Sequence, residues 1–453
     1  MTASVAEIQS QVRAARIAWV VLVVAFAISV VVCAFGGTGV QFFLFESTVP
    51  INAELTIGRG TAGLTGTDLI ETVVRGQRTL TNSSIVSTDA LSQATIQFAD
   101  PRLPDEVVAF VTVNSGTVLD MTMLSRPRFD WSSRGYEISL TEISGSVDVW
   151  IPTGLPRPIS IELVSAAGDR VVLAGGGRYQ AQMSAQQVRV INDAGSAVIV
   201  AGESGEVLAI GEGQRGLFYP ADGQFLLLPG FSDLLNGQQM LQAVQAEATP
   251  EPDAGVGNWS CYNGPYDDPV GVFESLQVRG RTTVHLQRGQ GAQSHGETGC
   301  VLTFGAAGQD VHEYDYLSVE AVFRIDNHSL SLCGIEGSEC PLMLRIDYVP
   351  VSGQSAQSWY QGFYSMLDPR YTYRTSCASC RREHDAVNMG AWYTFRSDNL
   401  RSLLPPDLQP GSVLNVRFYA SGHEYDVQVA EMSLLAGEAD PPPPASATDA
   451  TGG

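Results

Sequence analysis

At 453 residues the chain is too long for one hydrophobic core, so two or three domains are expected. Its net charge of −22 argues against nucleic-acid binding, which needs a basic face, and against docking of the acidic body on anionic headgroups. All 26 basic residues are arginine, and the absence of lysine rules out Schiff-base chemistry and a P-loop lysine.

Residues 17–35 carry no charge and a single hydroxyl, Ser29. At 1.5 Å per residue they reach ~28 Å, close to the ~30 Å hydrocarbon thickness, and are predicted to form a transmembrane helix. Arg13 and Arg16 precede the stretch and the next basic residue is Arg59, so residues 1–16 are expected to be cytoplasmic and the bulk of the chain extracytoplasmic. A cleaved signal peptide ending near Ala34-Phe35-Gly36 is the rival reading, disfavoured by the length of the apolar run. Either way the body is exported.

Residues 36–72, rich in Gly and Thr, form a membrane-proximal segment. From 73 to 220 short apolar/polar alternations recur: 94–98, 107–113, 136–140, 146–151, 159–164, 188–191 and 197–201. A period of two is that of half-buried strands, and turn signals such as Ala167-Gly168-Asp169 separate them. Gly175-Gly176-Gly177 has no following helical pattern and reads as a turn, not a phosphate loop. Residues 232–247 space Leu234, Leu235, Met240, Leu241 and Val244 roughly at helical intervals behind Ser232 as N-cap, predicting a short linker helix. A linker spans 248–257. Residues 258–437 are predicted as a β-sandwich of jelly-roll type, with strands at 316–325, 342–349, 413–420 and 427–435. The Pro-rich tail, 438–453, is disordered by composition.

Apart from Cys33, which reads as one more apolar residue of the membrane stretch, six cysteines fall in the last 200 residues: Cys261, Cys300, Cys333, Cys340, Cys377 and Cys380. An even set in an exported domain reads as disulfides. Fifteen pairings are possible and the sequence does not choose between them; the set expected is the local pairs Cys333–Cys340 and Cys377–Cys380, which leaves Cys261–Cys300. Zinc held by Cys333, Cys340, Cys377 and Cys380 is the competing reading, and no metal site is assigned.

The stretch from about Val73 to Phe218 resembles the FecR family of extracytoplasmic domains. The resemblance rests on Val74-Arg75-Gly76, on Ser87-Thr88-Asp89, on the run from Ser92 through Ala94, Ile96 and Phe98 to Asp100, on Gly145 to Val149, and on Ile210 to Gly216. It implies a β module outside a membrane, in a family that commonly relays a signal through one helix to a sigma-factor regulator. About 16 residues are expected inside here, too few for a folded regulatory domain. The C-terminal domain resembles carbohydrate-binding and galactose-binding-like sandwiches in strand pattern.

Candidate binding chemistry lies in that second domain. Trp359, Tyr360, Tyr364 and Trp392 are the ligand-binding candidates, since exposed rings stack on sugar faces; the bland reading of the 358–364 run is a strand whose rings fill the core. Asp267, Asp268 and Asp310 could bind calcium but read more simply as solvated loop acids. All six histidines lie in the same domain without HxH or HExxH spacing, and His384 close to the CxxC is the one considered for a metal. No G-x-S-x-G elbow is present and no cofactor is called for; the chain is not expected to be an enzyme. The expectation is a mainly β, membrane-anchored sensing or binding protein with a carbohydrate-binding head, its partners the membrane and a polysaccharide. The alternative is a structural cell-envelope protein working through protein contacts.

Overall fold

The computed structural model describes residues 5–66, 69–235, 240–241, 244, 257–289, 291–371 and 373–442. The fold is mainly β, with one long apolar helix at the N-terminus and several antiparallel sheets. The chain divides into two compact units, one of residues 1–50 with 125–136, the other of residues 51–124 with 137–453.

In the first unit the helix Val5–Gln41 runs into a single π-helical turn, Phe42–Glu46. Arg16–Glu46 is long and apolar enough to cross a membrane. Thr38 Oγ1 donates to the carbonyls of Ala34 and Phe35, so its hydroxyl adds no unmet polar group to an apolar helix. After the π-turn, Thr48–Pro50 pairs antiparallel with residues 125–127. The helix therefore extends past the predicted limit at residue 35, and its end shares a compact unit with a segment some eighty residues later.

The second unit holds two β bodies. In the first, a nine-strand antiparallel sheet runs in the order Gln77–Leu80, Asn52–Arg59, Gln93–Asp100, Leu103–Val113, Tyr136–Ile151, Gly177–Met183, Val188–Asn192, Gln214–Tyr219, Gln224–Pro229. Alternation does the sorting: in Ile159–Ser165 every second side chain is buried, so one face meets the core. The strands expected at 136–140 and 146–151 are one, Tyr136–Ile151, bent where Glu142 (φ 54°) and Gly145 (φ 127°) adopt positive φ. A Cβ at Gly145 would strike Thr117, so glycine is needed for the close approach as well as the angle. Pairing also begins at Asn52, within the segment expected to be only membrane-proximal.

The second body is a sandwich. One sheet runs Val272–Val278, Arg281–Arg288, Tyr425–Gly437, Tyr316–His328, Trp392–Arg396. The other runs Trp259–Asn263, Gly296–Thr303, Pro410–Gly422, Leu342–Pro350, Gln357–Tyr364, Asp385–Ala386. Leu344, Ile346, Trp359, Phe363, Phe418 and Phe323 fill the space between them. Ser232-Asp233, expected to open a helix, instead pairs with Leu435–Ala436 as a short strand, because the apolar Leu235 just beyond is drawn into the sandwich core. The remainder of the predicted helix lies outside the described residues apart from Leu234, Leu235, Met240, Leu241 and Val244; of the linker, only Gly257 is described.

An ionic seam joins the two β bodies. Arg396 donates to Asp148 Oδ1 at 3.0 Å and to Glu320, which also accepts from Gln180. Arg178 bridges Asp193 at 2.7 Å and Glu431 at 3.0 Å, and Arg281 shares Glu431 at 3.1 Å. Gln93 makes a reciprocal pair of hydrogen bonds with the backbone of Thr394, both 2.8 Å, capping the sandwich's edge strand as another strand would. Gly58 lies so close to the Trp392 carbonyl that a Cβ there would come within 2.5 Å. The start of the predicted disordered tail is also held at this side. Asp440 pairs with Arg189 at 2.5 Å and Arg215 at 2.8 Å, and the backbone carbonyl of Glu438 accepts from Arg215. The buried Arg215 needs an anion, which explains why a Pro-rich segment is ordered through residue 442; residues 443–453 lie outside the described set.

Candidate functional site

Gln357–Tyr364 sorts its aromatics by the two-residue period. Trp359 and Phe363 point inward, and Trp359 is completely buried, its ring 6.5 Å from that of Phe395. Tyr360 and Tyr364 point outward and are half-buried. Trp392 is buried at the seam, with the guanidinium groups of Arg281 and Arg324 at 5.6 and 5.8 Å from its ring. Of the four candidate rings, then, Trp359 and Trp392 are packing residues and the expectation that they stack on a ligand is corrected: each gives its area to a protein contact. Tyr360 and Tyr364 share an accessible sheet face.

The neighbours on that face come from strands remote in sequence. Register places Tyr360 opposite Arg345, and Arg345 opposite Arg417, giving a row of three across adjacent strands. With ~4.8 Å between strands the row spans ~10 Å, the scale of a sugar unit or two. The next row holds Ser358, Asp347 and Asn415. Asp347 ties them together: it accepts from Arg345 Nε at 2.7 Å, from Arg417 Nη2 at 3.3 Å and from the Ser358 hydroxyl. Arg345 also lies over the Tyr360 ring, 5.1 Å from its centroid. Burial pulls the Arg345 guanidinium down, and its bond and charge pairing with Asp347 more than reverse this, leaving it raised and fixed as a cation. On the other side of Arg345 the row is Tyr262, Gly299, Tyr419, Met343, Gly362. Tyr419 lies across Gly299, where a Cβ would meet it at 2.4 Å, and Tyr262 donates to Glu297 at 2.6 Å. Burial pushes the hydroxyls of Tyr419 and Tyr262 up, so both stay protonated donors.

One end of the face is walled by two disulfide loops. The six cysteines form Cys261–Cys300, Cys333–Cys340 and Cys377–Cys380. The Cys333–Cys340 bridge packs with Met343 and Tyr419, with Tyr360 and Tyr364 against them. His384 fastens this loop: Nδ1 accepts from Gly362 N at 2.9 Å and Nε2 donates to the Gly337 carbonyl at 2.7 Å. Burial pulls its pKa down, so it is neutral. The polar atoms of Cys333, Cys340 and His384 lie within 4.8 Å of one another, yet both sulfurs are joined and both ring nitrogens are hydrogen-bonded. Asp310 is engaged by His312 at 2.7 Å, and Asp267 accepts from the Glu297 amide, so these acids do not converge on one point. A cleft of ≈ 800 Å³ lies elsewhere in the same unit, lined in part by Trp150 and by Arg178, Arg281 and Glu431 of the ionic seam.

No family model and no curated protein matches the chain. Among solved structures it is similar to a candidate anti-sigma factor from Parabacteroides distasonis ATCC 8503, at 14% identity over 33% of this chain and 60% of that one, TM-score 0.23. The chain thus spans about three fifths of that protein's length. It is also similar to the CBM22-1 xylan-binding domain of Paenibacillus barcinonensis Xyn10C, at 9% identity over 42% and 92%, TM-score 0.21. A third is SGBP-B from a xyloglucan utilization locus in Bacteroides uniformis, at 12% identity over 83% and 92%, TM-score 0.23. Scores this low leave function to be read from the chain's own residues.

Arg345, Asp347, Arg417 and Tyr419 escaped the sequence reading, whereas Tyr262 belongs to the run of C-terminal aromatics it contains. The one available signal was the alternation of Arg345 and Asp347 with buried Leu344, Ile346 and Tyr348, which places two charges on one outward face of a strand.

Proposed function

We propose that this is a membrane-anchored extracytoplasmic binding protein whose sandwich presents the Tyr360–Arg345–Arg417 row to a neutral polysaccharide. The observation that carries the reading is Asp347, which holds two guanidinium groups and a hydroxyl beside a half-buried tyrosine. Side chains held this way lose little freedom when a ligand arrives. Arg345 and Arg417 share the Asp347 carboxylate, so part of their charge is already met within the protein and the face suits a polyhydroxylated ligand better than an anionic one. Its carboxylate is fully engaged by its neighbours, which supports binding and not hydrolysis. The FecR-like motifs of the first β body support an extracytoplasmic module, joined firmly to the head through the ionic seam.

A second reading, a structural envelope protein, draws on that same seam: two welded β bodies make a stiff spacer. Binding of the full chain to a panel of neutral cell-wall and plant polysaccharides separates the two. Binding lost in Tyr360→Ala, with an unchanged melting temperature, supports the first; no binding by folded wild type supports the second.

A further inference from the structure

The membrane-proximal unit contains a second aromatic group that the binding head does not use. Arg16–Glu46, 31 residues, would be about 46 Å long as a helix, matching the ~40–45 Å of a bilayer including its headgroup layers. The π-turn Phe42–Glu46 then emerges at the headgroup level opposite Arg13 and Arg16. Phe42, Phe43 and Phe45 are each more than half exposed there. Segment 125–136 brings further rings to the same place. Phe129 meets Phe43 edge-on at 5.5 Å, and Trp131 stacks on Phe129 at 4.5 Å with 63% of its surface exposed.

The segment is tied to the helix end by polar contacts as well. Arg128 N donates to the Ser47 carbonyl at 3.0 Å, the Ser132 hydroxyl to the Phe45 carbonyl at 3.3 Å, and Arg134 Nη1 to the Glu46 carbonyl at 3.1 Å. Arg128 lies 5.5 Å from the centre of the Phe43 ring and is itself exposed. An apolar patch of this kind needs an occupant, since water would leave its rings exposed for no gain. Continuity names one: the patch begins on the last turns of the helix that would lie in lipid. Aromatic rings with arginine among them are the composition of a membrane–water boundary, where rings sit at the carbonyl level and guanidinium groups reach phosphates.

We infer that segment 125–136 is a second membrane contact, with Phe129 and Trp131 seated in the headgroup layer beside the helix end and Arg128 facing phospholipid phosphate. The inference rests on the reading of the helix as a retained anchor. The body's overall negative charge does not oppose it, because the exposed Arg128 and Arg134 lie within this short segment and its one acid, Asp130, is paired with the buried Arg126 at 3.8 Å. Screening confines their influence and the body's to about 8–10 Å.

The test uses the full chain in nanodiscs of phosphatidylcholine brominated near the headgroup, read by tryptophan emission. Trp19 and Trp131 are the two tryptophans of the membrane-proximal unit; Trp150, Trp259, Trp359 and Trp392 belong to the other unit. Trp131→Phe leaves Trp19 to report the anchor, and Trp19→Phe leaves Trp131 to report the loop. The inference expects bromine quenching in both single variants and its loss in the double variant. Quenching in Trp131→Phe but none in Trp19→Phe overturns the loop contact while leaving the anchor standing. No quenching in Trp131→Phe shows that the helix is not in the bilayer and overturns both. Exposure of Trp131 makes Phe a mild substitution, and circular dichroism of each variant confirms that the β fold is intact.

Discussion

Arg345 and Asp347 lie two residues apart on one strand, and Arg345 Nε donates to Asp347 Oδ1 at 2.7 Å. Alternation puts both on the outer face, and the bond lays the guanidinium along the sheet, under reach of the Tyr360 ring. Asp347→Asn removes the charge that Arg345, Arg417 and Ser358 share. It should cost about 1–3 kcal/mol in urea unfolding, the range for charged hydrogen bonds lost at a partly buried site. Polysaccharide affinity should fall with it, since both arginines lose their fixed orientation.

Trp359 and Tyr360 are adjacent and opposite in role. Trp359→Ala empties a fully buried site and should cost about 3–5 kcal/mol, seen as a large drop in urea midpoint. Tyr360→Ala should shift stability by no more than about 1 kcal/mol, as expected of a half-buried surface residue. Equal losses would mean that Tyr360 is a core residue in disguise.

At the seam, Arg396 compensates the buried Glu320 carboxylate and the half-buried Asp148. Arg396→Met leaves Glu320 and Asp148 without their main partner, which should cost about 3–5 kcal/mol. Glu320→Gln keeps a hydrogen-bond acceptor for Arg396 and should cost less. A thermal melt of each variant, compared with wild type, checks the order.

His328 predicts an acid-sensitive component of stability. Burial pulls its pKa from 6.5 down to about 4, and its Nε2 accepts from Ser365 N at 3.0 Å. The folded state keeps this ring neutral where the unfolded chain would protonate it. Its contribution is therefore complete above pH 6.5 and is lost as pH falls from there towards about 4, by up to about 3 kcal/mol. His285, held by Asp426 and Glu274, and His295, held by Glu339, are raised and act in the opposite sense, losing stability as pH rises through their values. The measurement is therefore a difference: urea unfolding of wild type and His328→Gln at pH 7.0 and 4.5. The gap between them should narrow or reverse at the lower pH.

How much of this was legible in sequence depended on range. The alternation of Trp359, Tyr360, Phe363 and Tyr364 is local, so the strand was readable; which of its faces is buried was not, because a period of two is the same from either side. Arg345 and Arg417 meet only through pairing of strands some seventy residues apart, and nothing in either segment announces the other. Ser232 followed by spaced leucines carried a helical signal, yet pairing with Ala436, two hundred residues away, claimed Ser232 and Asp233 for a strand. At 136–151 a glycine within apolar alternation suggested a break, and the sheet used it as a bend. Arg215 is the reverse case: a buried cation held Asp440 in a segment whose composition alone implies disorder.

The most direct measurement is binding of the full chain, in nanodiscs, to neutral cell-wall and plant polysaccharides, with Tyr360→Ala and Arg345→Ala beside the wild type. Saturable binding to at least one neutral polymer is expected, reduced tenfold or more (over ~1.4 kcal/mol) in each variant while each remains folded at the assay temperature. Binding that survives both substitutions, or no binding by a folded wild type with its three disulfides intact, would contradict it.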